Sequence, residues 1–151
     1  MTNQINGRGS GRTRIRFGLV MTIIGFVVFL IGAVPDLFGL DRSPVVGFVQ
    51  VSVFLLGIGF ICLGGAISLA VLWIGIPKSI VSDIGLRLVG TGYVITMGSG
   101  MADIFGFGSQ SFPKIPFFGT WQLAGVLLGE LVIAVGLLMM IPWQRLTSPK
   151  V

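Results

Sequence analysis

The chain contains no histidine and a single cysteine, Cys62, which stands inside an apolar run. That inventory excludes an intrachain disulfide, a thiol relay, an imidazole-ligated haem and a Cys/His zinc site. Charge is scarce too: 10% of the 151 residues are charged, and only five are acidic. With no Ser/His/Asp set and no glycine loop ending in Gly-Lys-Ser or Gly-Lys-Thr, the sequence offers nothing for nucleophilic catalysis or phosphate binding. An enzyme is therefore not expected, and neither is a metal or cofactor.

What is present is apolar. Hydrophobic residues make up 54% of the chain and the mean hydropathy is +1.00, more than a soluble domain of this size can hide. The net charge of +5 and pI near 10.4 point to topology before nucleic acid, because Arg8, Arg12, Arg14 and Arg16 directly precede an apolar run. The expected class is an all-α polytopic membrane protein with four transmembrane helices, its main partner the lipid bilayer.

Residues 1–16 are polar, rich in Gly and Arg and without apolar periodicity, which predicts a flexible basic tail. The spans expected after it are Phe17 to Val34, Val45 to Ile76, Ile84 to Ile104 and Phe117 to Ile141, in a single membrane domain over 17–151. Pro35, Pro77 and Pro142 close the first, second and fourth. Ser43-Pro44 has the pattern of an N-cap followed by proline at the first helical position. Eight of the ten Lys and Arg residues fall on the side of the termini, and only Arg42 and Lys114 on the other, so both termini are expected in the cytoplasm and the chain in the cell membrane. Trp73 and Trp143 then fall at the inner interface and Trp121 at the outer one.

Glycines seven apart organise the spans. Gly18, Gly25 and Gly32 in the first, with Gly39 in the turn after it, are matched by Gly85, Gly92 and Ser99 in the third, with Gly106 after it; Gln50, Gly57 and Gly64 in the second are matched by Gln122, Gly129 and Gly136 in the fourth. Aligning Gly25 with Gly92 and Pro44 with Pro116, offsets of 67 and 72, gives 13 identities over 36 positions. Chance in this composition would give about three, so a duplication is expected, with repeats over 17–77 and 84–142. A two-span unit returns the chain to its starting side. The copies therefore form parallel-repeat helical hairpins, related by an axis along the membrane normal. Residues seven apart lie on one narrow stripe of a helix, and small side chains there let backbones approach in lipid. Gly25, Gly32, Gly57, Gly64, Gly92, Gly129 and Gly136 are thus expected to pack helices, and Gln50 and Gln122 to hydrogen-bond each other or backbone. A face such as Gly125-x-x-x-Gly129 is available for self-association.

Two further features carry chemistry. The turn Asp36-Leu37-Phe38-Gly39 recurs as Asp103-Ile104-Phe105-Gly106, placing two carboxylates at the outer mouth, where a turn-forming role competes with cation binding. The copies also disagree: Glu130 stands where the first has Ile58, Tyr93 where it has Phe26, Thr96 where it has Phe29 and Arg87 where it has Val20. An ionisable group near mid-span is costly and a functional suspect by default. Tyr93 and Glu130 lie at matching depth, which predicts a hydroxyl to carboxyl hydrogen bond, with Arg87 the second choice of partner. As a packing group Glu130 is satisfied inside the bundle, and as a functional one it couples protons or cations. The leading expectation is a structural or accessory subunit, homo-oligomeric or bound to another membrane protein, and the rival is a small proton- or cation-coupled transporter or channel using Glu130, with Tyr93, Asp36 and Asp103 in support. The first reading ranks higher on sequence alone.

Overall fold

The computed structural model describes residues 3–39, 47–102 and 119–143, with side chains from Gly11 onward. Four helices follow one another: α1 (Asn3–Ala33), α2 (Phe48–Val71), α3 (Ile80–Gly100) and α4 (Thr120–Met139), with no strand among the described residues. Each contains a stretch long and apolar enough to cross a membrane; in α1 that stretch is Gly11–Ala33.

The ends follow from local chemistry. α1 stops because Pro35 drives the preceding residue out of the helical region, and Val34 sits at φ −137°, ψ 70°. A 3-10 turn over Pro35–Phe38 follows, closed by Gly39 at φ 63°, a conformation that suits glycine. Ser79 caps α3, its Oγ accepting the Val81 amide at 3.2 Å. Gln122 caps α4 from within, its Oε1 accepting the Gly119 amide at 2.9 Å.

Several boundaries differ from the sequence expectation. The residues expected as a tail form the first turns of α1, which begins at Asn3; once a helix is nucleated, each added residue gains a backbone hydrogen bond. The N-cap of α2 is Gly47, at φ −82°, ψ 160°, and the Ser43-Pro44 pair expected to start this helix lies outside the described residues. α2 ends at Val71, short of Ile76, and the chain turns through Gly75 at φ 87°. Trp73 in that turn is no interfacial anchor: it is 7% exposed, and its Nε1 donates to the Met140 carbonyl at 2.8 Å.

Within each pair the helices meet along the glycine stripes. A methyl group added at Gly25 would lie 2.9 Å from the Gly57 carbonyl oxygen and 2.8 Å from the Ile61 amide nitrogen. At Gly92 it would lie 2.6 Å from the Gly129 oxygen and 2.8 Å from the Ile133 nitrogen, the residues 72 positions on. The correspondence continues: Gly64 lies against Gly18 and Thr22, and Gly136 against Gly85 and Val89, each 67 positions on. Glycine is required here because any side chain would meet backbone.

Between the pairs the packing is different in kind. α2 is the inner helix, touching α1, α3 and α4, whereas no Cα of α1 comes within 8 Å of α3 or α4. The buried cluster joining the pairs is Ile58 and Cys62 of α2, Val89 of α3, and Ile133 and Met140 at the end of α4.

Candidate functional site

Glu130 and Tyr93 each directly follow a stripe glycine, Gly129 and Gly92. One residue is about 100° of helical rotation, so both side chains are turned off the α3/α4 contact line and towards the first hairpin. α2 lies against that side. The Tyr93 ring packs on Gly59 of α2, where an added methyl would lie 3.0 Å from the hydroxyl oxygen. Glu130 instead lines a cleft between α1, α2 and α4. The expected hydrogen bond between the two is absent, because Tyr93 packs on the α3 side of α2 and Glu130 enters the cleft that α2 forms with α1 and α4. Thr96 is fully buried against Gly129, and its hydroxyl turns back to the Gly92 carbonyl at 2.9 Å. Arg87 pairs with Asp83 of its own helix at 3.2 Å, both well exposed, and leaves Glu130 alone. An exposed pair of this spacing adds little stability.

The cleft has a volume of about 310 Å³. Its walls are apolar, with Phe29 and Ala33 from α1, Val51 and Phe54 from α2, and Leu123 and Leu127 from α4. Two polar side chains enter it, Gln50 and Glu130. Gln50 lies in the first turn of α2, while Glu130 lies ten residues into α4, about 15 Å along the axis at 1.5 Å per residue. The cleft thus reaches from one end of the bundle to mid-span. Neither the Gln50 amide nor the Glu130 carboxyl has a hydrogen bond or ion pair among the described residues. Gln50 and Gln122 do not bond each other, since Gln122 is committed to the α4 cap.

The other expected site residues separate from this pair. Asp36 is exposed on the 3-10 turn, and Asp103 lies outside the described residues. No group of three or more His, Cys, Asp or Glu capable of holding a metal occurs among the described residues. The Gly125-x-x-x-Gly129 face is occupied by Ser99 and Thr96 of α3, so it is not free for self-association. A second groove, about 280 Å³, lies between α2 and α3, with Tyr93 and Cys62 as its polar groups.

Sequence reasoning passed over the single cleft that Gln50 and Glu130 both line. A signal existed: Glu130 is the image of Ile58, and Ile58 faces the other hairpin. Comparison with known proteins finds no family model, no curated protein and no solved structure that matches the chain.

Proposed function

We propose that the chain is an integral protein of the cell membrane, crossing it four times as two duplicated hairpins that enter in the same direction, with both termini cytoplasmic, and that it moves protons or cations using Glu130 as the coupling carboxyl. The duplication is supported by the recurrence of backbone contacts at offsets of 67 and 72. Membrane insertion is supported by the apolar side chains turned outward along every helix, and by Trp121, 85% exposed at the start of α4 where an interfacial ring is favoured. The orientation rests on the Lys and Arg asymmetry.

One observation carries the transport reading: a carboxyl near mid-span lines an apolar cleft with no partner among the described residues. A packing device in hydrocarbon would be satisfied, whereas a group that exchanges its partner must be reachable. The test is flux into liposomes holding the purified protein. Glu130→Gln is expected to abolish it while the protein stays monodisperse; unchanged flux ends the reading.

The accessory-subunit reading remains as the second. The same unpaired carboxyl supports it, with the missing hydrogen bond supplied by another membrane chain. A stoichiometric partner retained in mild detergent, and lost with Glu130→Gln, would put this reading first.

A further inference from the structure

We propose that the cleft between α1 and α4 binds an organic cation with a small apolar body, admitted sideways from the outer half of the bilayer. The proposal rests on the transport reading and names its substrate class.

The two hairpins face each other along two seams that the repeat offsets relate, α2/α3, where they touch, and α1/α4, where no Cα comes within 8 Å of the other helix. At the α2/α3 seam, a methyl added to Gly100 would touch the side chains of Leu55 and Val51 at 3.5 to 3.6 Å, and Ile58 is buried beside them. The same positions of the α1/α4 seam are Ala33, Leu127, Leu123 and Glu130, and all four line the cleft. Lower down, the Gly59 and Tyr93 contact has as its image Leu131 and Phe26, which are 61% and 52% exposed. At the level of Glu130 one seam is filled and the other is open, and the open one carries a carboxyl where the filled one carries isoleucine; the α2/α3 seam opens only lower, in the groove of about 280 Å³ beside Tyr93 and Cys62. Because α1 makes no backbone approach to α4, the cleft opens to the lipid.

Size and chemistry select the occupant. About 310 Å³ is at the lower end of small-molecule pockets and far below the roughly 2,000 Å³ of a helix some 10 Å across and 30 Å long, so a partner helix does not fit inside. A bare divalent ion wants six or more oxygens, and the cleft offers one carboxyl and one amide. A proton alone needs no apolar cleft. A lipid tail fits the walls but leaves the carboxyl unanswered. A molecule with an apolar body and a positive head answers both: the head pairs with Glu130 and the body lies among Phe29, Phe54 and Leu127.

The test uses the full chain in phosphatidylcholine nanodiscs with benzyltrimethylammonium, a permanent cation, and its uncharged isostere neopentylbenzene, titrated calorimetrically. The cation is expected to bind saturably, at least tenfold more tightly than neopentylbenzene. Binding should fall at least tenfold in Glu130→Gln and in Ala33→Phe, which fills the cleft from α1, and stay unchanged in Tyr93→Phe on the other seam. It should also weaken as pH is lowered, a dependence lost in Glu130→Gln. Glu130 is the one titratable side chain lining the cleft from α1, α2 or α4 among the described residues, and α3 turns Gly92, Thr96 and Ser99 towards α4. Equal binding of the uncharged isostere, full affinity in both variants, or no binding at millimolar cation overturns the proposal. Should Glu130→Gln not give a monodisperse protein, Ala33→Phe decides. Glu130-dependent ion flux without cation binding would sink this inference and leave the transport reading standing; cation binding without flux would do the reverse.

Discussion

The contacts inside each hairpin and the contacts between the hairpins obey different rules. Inside, α1 on α2 and α3 on α4 repeat one another backbone atom by backbone atom, through Gly25 and Gly57 in one and Gly92 and Gly129 in the other. Between them, one seam closes over Leu55 and Ile58 while its image opens around Leu127 and Glu130. In lipid, where helices gain nothing by hiding from the solvent, close backbone packing is the main source of cohesion. The hairpins hold that cohesion, which leaves the weaker seams free to differ.

The comparison breaks most severely at the stripes. Gly57→Leu and Gly129→Leu each push a side chain into the facing backbone, and each is expected to cost about 3 kcal/mol or more, near the top of the overpacking range. Unfolding the reconstituted protein in rising denaturing detergent measures it; losses differing by more than about 1 kcal/mol would argue against equivalent hairpins. Next come exchanges across the seams. Ile58→Glu places a carboxyl where the seam is filled and should destabilise by about 3 kcal/mol, whereas Glu130→Ile removes an unpaired one and should stabilise by about 1 to 2 kcal/mol while abolishing flux. Equal effects of the two exchanges would mean that the seams do not differ. Trp73→Phe deletes the Met140 hydrogen bond between the hairpins at a cost of about 1 kcal/mol, read by the same unfolding assay. The smallest effect is expected at Ser68, whose Oγ is buried at the α1/α2 contact without a partner. Ser68→Ala should shift stability by less than about 0.5 kcal/mol, or raise it slightly, and a large loss would show a bond to that hydroxyl.

Much of this was legible in the residues. The seven-residue spacing of Gly18, Gly25 and Gly32 identified the faces that touch, because spacing along one helix depends only on the 3.6-residue turn. Depth was legible for Glu130 and Tyr93 as well. Their direction was not: it depends on how α2 seats against α3 and α4, and no periodicity within one span records a rotation between spans. Trp73 failed for a related reason. A tryptophan at a helix end reads as an interfacial anchor until another hairpin covers it, and the carbonyl it meets belongs to Met140.

That bond has a mechanical consequence. It pins the turn after α2 to the end of α4, at the opposite end of the bundle from the Gln50 mouth of the cleft. The hairpins are thus held at both ends of the bundle, by a side-chain hydrogen bond at one and by the apolar contact of Gly100 with Leu55 and Val51 at the other, so the space between α1 and α4 is a local gap in packing and not a loosening of the whole bundle.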